Sequence, residues 1–169
     1  IIMDSNYNVP KRRRREQSTD YHKRLKLVKS GKARVVVRTS NNHTRVQISR
    51  FNREGDENSA QTISKQLEEF GWDEHTGNLP AAYLTGYLAG MKADVDEAVL
   101  DTGLRTVKAG GNVFAAVKGL NDAGVHVAVG DEMLPQEGRM RGEHIEEMKD
   151  SEITETFEKV KEEIEGEFE

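Results

Sequence analysis

The chain contains no cysteine. Without thiols it can form no disulfide, no thiolate zinc site and no cysteine nucleophile, and this composition suits a reducing compartment. No apolar run approaches the roughly 20 residues that a membrane-spanning helix needs. The residues after Met3 show neither the apolar stretch nor the small-residue cleavage site of a signal peptide. We therefore expect a soluble cytoplasmic protein.

Sequence motifs for cofactors and metals are missing as well. There is no Walker loop and no GxGxxG, so we expect no nucleotide cofactor. Five histidines are scattered without ligand spacing, which argues against a metal site: His22, His43, His75, His126 and His144. Gly110-Gly111-Asn112 precedes a predicted helix and could present backbone N–H groups to a phosphate. A plain loop with a helix cap is the favoured explanation of this segment.

Charge is abundant, and it is distributed unevenly. Of the 169 residues 33% are charged and 35% hydrophobic, which indicates one domain with a small core. Residues 1–50 hold 14 Lys/Arg and three acids, a net charge of +11, whereas residues 51–169 carry a net charge of −16. Such asymmetry points to a polyanionic partner at the basic end of the chain.

The hydrophobic pattern predicts a β-hairpin after a short amphipathic helix at residues 21–30. Strands at 33–39 and 43–51 are joined by the turn residues Ser40, Asn41 and Asn42. Along the second strand, apolar and polar residues alternate. The hairpin should therefore have one apolar face and one polar, basic face.

The rest of the pattern predicts an α/β domain with a mixed sheet and packed helices. The predicted elements are a strand at 59–64, a helix at 76–93, a strand at 97–102, a helix at 113–123 and a strand at 125–129. Small residues at Ala82, Gly86 and Gly90 should let another backbone approach the first of these helices. We expect a basic extended arm (1–15), an α/β RNA-binding domain (16–138) and an acidic helical extension (139–169), most simply a solvated helical face.

The five adjacent cations at residues 11–15 indicate a phosphate-binding arm, although a solvated tail or a nuclear-import signal has a similar composition. Basic residues continue through the helix and the hairpin, interleaved with polar and aromatic side chains. Four of the five clustered cations are arginines, which bind phosphate with a planar fork. The pattern therefore favours one continuous RNA or DNA footprint.

Asp101 raises the possibility of catalysis. "AVLDTG" (98–103) matches the catalytic loop of aspartic proteases, in which two such aspartates share a proton, and a homodimer could supply the second copy. However, the small aspartic proteases, which are of the retroviral type, are nearly all β. In this chain the motif is flanked by strong helix patterns. A strand that ends in a turn is the favoured interpretation.

The order of several segments resembles a known family. "VPKRRRREQSTDYHKRLKLVKSGKARVVVRTSNNHTRVQI" (9–48), "TGNLPAAYLTGYLAG" (76–90), "AVLDTGL" (98–104) and "VFAAVKGLNDAG" (113–124) closely resemble the archaeal form of large-subunit ribosomal protein family eighteen, which binds 5S ribosomal RNA. The resemblance covers about residues 6–145, and the acidic end matches only in character.

This resemblance implies a ribonuclease-H-like topology without nuclease activity. It implies a structural constituent of the large ribosomal subunit that binds 5S rRNA and helps attach it to 23S rRNA in the central protuberance, beside the neighbouring protein numbered five. Asp101 would be structural, with no catalytic, metal or cofactor site. A general nucleic-acid chaperone is the alternative. The residues expected to contact RNA are Lys11, Arg12, Arg13, Arg14, Arg15, Tyr21, His22, Arg24, Arg34, Arg38, Ser40, Asn41, Asn42, His43, Arg45 and Gln47.

Overall fold

A five-stranded mixed sheet organises the chain. The computed structural model describes residues 7–149 and 151–168. The strands are β1 (Ala33–Thr39), β2 (Thr44–Arg50), β3 (Glu57–Ile63), β4 (Glu97–Asp101) and β5 (His126–Val127), in the order β3-β2-β1-β4-β5. β1 pairs antiparallel with β2, and β2 with β3, whereas β4 runs parallel to β1 and β5. The predicted α/β fold with an opening antiparallel hairpin is confirmed.

Seven α-helices accompany the sheet in the described part of the chain. They are α1 (Arg12–Arg15), α2 (Tyr21–Lys29), α3 (Leu79–Lys92), α4 (Asn112–Asp122), α5 (Glu137–Arg141), α6 (Glu143–Lys149) and α7 (Ile153–Phe168). Short 3-10 helices lie at Ser64–Phe70 and Asp131–Met133. None of these described helices is both long enough and apolar enough to cross a membrane.

Three elements differ from the prediction in detail. Arg12–Arg15 forms a single helical turn where an extended arm was predicted, and residues 1–6 of that arm lie outside the described residues. α3 begins at Leu79 because the Asn78 side chain accepts the Ala81 N–H at 2.8 Å and caps the helix there. β5 is only two residues long, because it pairs only with the first two residues of β4.

The core lies between one face of the sheet and the helices α3 and α4. Val35, Val37, Val46 and Ile48 point to this side and are fully or almost fully buried. α3 is buried along its whole length from Leu79 to Gly90, because the sheet and α4 cover part of its circumference and α7, α5 and the 3-10 helix at Ser64–Phe70 cover the rest.

α3 and α4 pack with their backbones almost in contact. A Cβ added at Gly86 would lie 2.0 Å from the Ala116 carbonyl oxygen, and one at Gly119 would lie 2.2 Å from that of Tyr83. The close approach predicted from the small residues of α3 is therefore confirmed at Gly86. The Tyr83 hydroxyl donates to Asp122 at 2.8 Å and ties the two helices together. Burial raises the pKa of Tyr83, and the bond to Asp122 raises it further.

The acidic C-terminal segment is helical, as predicted, but only one side of α7 is a solvated acidic face. Ile153, Phe157, Val160 and Ile164 recur at helical spacing and are buried in the cluster that includes α3. The Phe157 ring lies 5.4 Å from that of Tyr83, centroid to centroid. Each such side chain contributes roughly 1.5–3 kcal/mol when fully buried. α7 therefore completes the core.

Candidate nucleic-acid interface

The sheet face opposite α3 and α4 carries the polar residues of the hairpin, and we call it the open sheet face. Successive side chains of a strand point to opposite faces, so Arg34 and Arg38 of β1 and Arg45 and Gln47 of β2 share this side. Arg38 pairs across the strands with Arg45. The predicted division of the hairpin into an apolar and a basic face is confirmed, since Thr44, Val46 and Ile48 are buried on the other side.

The hairpin tip, residues 40–43, is fixed by its own hydrogen bonds. The Ser40 N–H donates to the His43 carbonyl at 2.8 Å, and the His43 N–H donates to the Ser40 hydroxyl at 3.0 Å. Thr76 donates to the Asn42 carbonyl at 2.7 Å and anchors the tip to the segment before α3. The side chains of Asn41 and Asn42 are left exposed on this fixed turn. The tip is therefore ordered, and within the described part of the chain no hydrogen bond engages the side-chain amides of Asn41 and Asn42.

Arg34 is placed differently from the expectation that it contacts RNA. Only 4% of its side chain is exposed, and its guanidinium pairs with the Asp56 carboxylate and lies 3.4 Å from Asp101. Its charge is thus engaged inside the protein. Its position on β1 puts Arg34 on the polar face of the hairpin. Asp56, which lies in the β2–β3 loop, gave no sign in the sequence that it would return to this strand.

Arg34 is the centre of a chain of alternating charges on the open sheet face. Asp56 also accepts a bond from Arg24 of α2 at 3.0 Å, and Asp101 lies 3.8 Å from Arg38. The side chains of Arg24 and Arg38 are 40% and 38% exposed. Arg24 and Arg38, the two outer members of this charge network, therefore face solvent. Their positions are set by Asp56 and Asp101, the two carboxylates that also pair with Arg34.

Helix α2 is joined to the end of β4. Lys23 donates to the Thr102 hydroxyl at 2.7 Å and to the Gly103 carbonyl at 3.1 Å. Asp20 caps the helix by accepting the N–H groups of His22 and Lys23. The Lys23 N–H in particular holds the pKa of Asp20 below its ordinary value. α2 is thereby anchored at its first turn beside the open sheet face.

The arm lies close to α2, and its cations face solvent. No residue of α1 is buried, and the Lys11 amine lies 5.1 Å from the centre of the Tyr21 ring. A cavity of about 150 Å³ brings the arm together with α2 and the sheet. The charged residues that line it are Arg13, Asp20, Lys23, Arg24, Arg38 and Asp101. Candidate residues from the arm, the helix and the strand thus border one depression.

A second depression, which we call the hairpin groove, lies beside the hairpin tip and has a volume of about 270 Å³. It brings together four candidate residues, Arg38, Ser40, His43 and Arg45. Arg105 of the β4–α4 loop also lines it and donates to the Thr39 carbonyl. Sequence reasoning missed Arg105, because a single cation in an irregular loop has no periodic pattern. Of the remaining candidates, Gln47 donates to Gln61 at 2.7 Å.

Metal chemistry has no visible basis in this site. Among the described residues, no three His, Asp or Glu side chains cluster as they would around a metal ion. Asp101 is engaged by Arg34 and accepts the Gly103 N–H at 2.8 Å. Its surroundings are those of an internal counter-ion.

Comparison with known proteins identifies the family. A sequence profile described as "Ribosomal large subunit proteins 60S L5, and 50S L18" matches residues 5–96. The large ribosomal subunit protein uL18 of Halorubrum lacusprofundi is 54% identical over 142 residues, which cover 82% of this chain and 77% of the relative. The chain belongs to this family. The family is a structural component of the ribosome, so the chain is not an enzyme and the aspartic-protease alternative at Asp101 is dropped.

Two further relatives from this ribosomal family define how far the similarity reaches. The uL18 protein of Haloarcula marismortui is 50% identical over 144 residues, which cover 83% of this chain and 77% of the relative. That of Natronomonas pharaonis is 46% identical over 178 residues, which cover 96% of this chain and 97% of the relative. The latter alignment must extend beyond residue 145. The similarity to this relative therefore reaches into the acidic end of the chain.

Proposed function

We propose that this protein is a structural component of the large ribosomal subunit that binds 5S rRNA and helps attach it to 23S rRNA in the central protuberance. It works in the cytoplasm, beside ribosomal proteins that include the one numbered five. The observation that carries the proposal is the basic surface formed by the arm, α2 and the open sheet face, on a chain whose net charge is −5.

Phosphate contacts supply most of the affinity in this mechanism. Residues 11–15 present five exposed cations on one short segment, and each phosphate that they neutralise releases counterions. Arg24 and Arg38 add two guanidiniums whose positions are set by the Asp56 and Asp101 carboxylates. The arm attracts RNA of any sequence, and the two fixed arginines orient the protein on the RNA.

The hairpin tip provides the polar groups that set the register of the RNA. Paired RNA hides its base edges in a deep groove, so proteins recognise 2′-hydroxyls and unpaired bases. Ser40, Asn41, Asn42 and His43 offer hydroxyl, amide and imidazole groups on an ordered turn. The proposed RNA contacts are the predicted residues, except that Arg34 acts from inside the protein by holding two carboxylates.

The acidic side of the molecule faces away from the RNA. α7 packs on α3, which itself packs on the sheet face opposite the open one. Arg38 and Arg45 therefore lie on one side of the molecule, and the exposed glutamates of α6 and α7 lie on the opposite side. Negative charge there repels phosphate and favours basic protein neighbours.

Alanine substitution of the arm tests the proposal. Replacing Arg12, Arg13, Arg14 and Arg15 should weaken 5S rRNA binding by orders of magnitude and reduce the log–log salt slope by about 3, because four phosphate contacts are lost. The matched control replaces four exposed cations of the helical side, Lys92, Arg139, Lys149 and Lys159. Filter binding over a range of salt concentrations measures both. Unchanged binding by the arm variant at moderate salt would contradict the proposal.

Competition separates a dedicated 5S rRNA protein from a general chaperone. The wild-type chain should prefer 5S rRNA over an unrelated RNA of equal length, because the hairpin tip discriminates by shape and by unpaired bases. Equal affinity for both RNAs would support the chaperone alternative instead.

A further inference from the structure

The arm, α2 and the open sheet face form the proposed RNA-binding side of the protein. The arginines on this side differ in whether a carboxylate compensates their charge. Arg24 lies 3.0 Å from Asp56 and Arg38 lies 3.8 Å from Asp101, so each has an acidic partner. In the described part of the chain, no ion pair includes Arg45 or Arg105. Arg45 and Arg105 therefore carry positive charges that no carboxylate of the described residues pairs.

Arg45 and Arg105 line the same depression, the hairpin groove. Its other described lining residues are Arg38, Thr39, Ser40, His43 and Ile63, and none of the lining residues that the structure describes is acidic. Arg105 donates one of its N–H groups to the Thr39 carbonyl. A carbonyl is neutral, so this bond positions the guanidinium without neutralising it and leaves further donors of its planar fork for an anion.

The groove also has a part that suits a base. The Ile63 side chain is half-buried and apolar, and the half-buried His43 ring lies beside it in the groove lining. The His43 Nδ1 lies 3.1 Å from the Thr76 hydroxyl, which holds the ring in place. Unpaired bases of bound RNA typically lie against aromatic, histidine or arginine planes. A volume of about 270 Å³ is just below the roughly 300–1,000 Å³ of small-molecule pockets, which suits one nucleotide and no paired helix.

We propose that the hairpin groove holds one unpaired nucleotide of the bound RNA, with its phosphate on Arg45 and Arg105 and its base against Ile63 and His43. This inference rests on the proposed RNA-binding function and adds the β4–α4 loop to the interface. Arg105 becomes a contact residue that neither the charge run of the arm nor the alternation of the hairpin indicated.

Substitution of Arg105 in the full chain tests the phosphate contact. Arg105→Ala should weaken binding to 5S rRNA roughly tenfold and reduce the log–log salt slope by about 1, as expected for one lost phosphate contact. Arg105→Lys should keep the slope and lose part of the affinity, because an ammonium lacks the planar fork. The control is Arg139→Ala, which removes an exposed arginine of the helical side. Equal affinity of the Arg105→Ala and Arg139→Ala variants would overturn the inference.

Chemical probing of the RNA tests the unpaired nucleotide. Wild-type protein should protect one unpaired nucleotide of 5S rRNA from the chemical probe. That nucleotide should become reactive with the Arg105→Ala variant and stay protected with the Arg139→Ala variant. Protection lost only within a paired helix would overturn the single-nucleotide assignment. The failure of one proposal can be distinguished from the failure of the other. If the wild-type protein shows no preference for 5S rRNA, the proposed 5S rRNA-binding function is refuted. The Arg105 variants are then compared on the RNA that the wild-type protein does bind.

Discussion

At the scale of single residues, one strand face uses arginine in two ways. Arg34 and Arg38 are four positions apart on β1 and point to the same side, but 4% of one side chain and 38% of the other is exposed. Arginine keeps its charge when buried, so Arg34 requires the two carboxylates that surround it. Arg38 uses one of those carboxylates as a support and keeps its outer edge for a ligand.

Removing the buried guanidinium should destabilise the protein. In Arg34→Met, Asp56 and Asp101 lose their shared partner, and we expect unfolding to become easier by about 2–4 kcal/mol, near the lower end for a broken buried pair because Arg24 and Arg38 still neutralise each carboxylate. Urea denaturation measures the change. Arg139→Met is the control, since that side chain is exposed and unpaired in the described structure. Equal midpoints would show that the network adds no stability.

At the scale of elements, the α3–α4 contact depends on missing side chains. Gly86 and Gly119 let each helix backbone reach the other, so the two helices pack as one unit above the sheet. The sheet packs on one side of this unit, and α7 packs on α3. A disturbance between α3 and α4 is therefore transmitted to the whole core, including the strands that carry the RNA side.

Two glycine substitutions separate packing from helix propensity. Gly86→Ala places a Cβ 2.0 Å from the Ala116 carbonyl oxygen and should destabilise the fold by about 1–3 kcal/mol or more, because backbone must move. Gly166→Ala on α7 meets nothing within 4 Å and should stabilise it by up to about 1 kcal/mol through helix propensity. Thermal unfolding compares the two variants. A shift in the same direction for both would contradict the packing argument.

At the scale of the whole molecule, charge is sorted by layer. The open sheet face and the arm are basic, whereas the C-terminal residues 143–169 carry twelve acids and three lysines. Attraction at one side and repulsion at the other orient the protein on a polyanion before any contact forms. We therefore expect the acidic side to restrict RNA to the basic side.

Neutralising part of the acidic side should reduce discrimination between RNAs. With Glu147, Glu152, Glu162 and Glu163 all changed to Gln, affinity for an unrelated RNA should rise a few-fold at low salt, while affinity for 5S rRNA should change less. The reason is that non-specific binding depends mostly on overall electrostatics. Competition binding measures the ratio of affinities, and high salt should abolish the difference. A ratio equal to that of wild type at low salt would argue against an orienting role.

Much of the fold could be predicted from local pattern. The hairpin follows from period-two alternation around a turn of Ser and Asn, and α3 follows from its apolar run. The apolar stripe of α7 was present in the sequence at helical spacing, but the surrounding glutamates obscured it. The short length of β5 was not predictable, because it depends on how much of β4 is free to pair.

The site was predictable only where strand geometry decides exposure. Alternation assigns Arg45 and Gln47 to the open sheet face, and the structure leaves them accessible to different degrees. The same rule assigns Arg34 to that face, but only tertiary structure shows that Asp56 and Asp101 enclose it. Arg105 joins the groove through a loop whose path no local pattern determines. Contact of these residues with RNA remains a prediction.

The position of α7 in the chain has a consequence for synthesis. α3 is translated about sixty residues before α7, which later covers it through Phe157, Val160 and Ile164. During that interval the nascent chain exposes the ring of Tyr83 and its apolar neighbours, a surface prone to aggregation. The core is therefore completed only after α7 has been synthesised, and a nascent chain cut short before α7 would keep this apolar surface exposed.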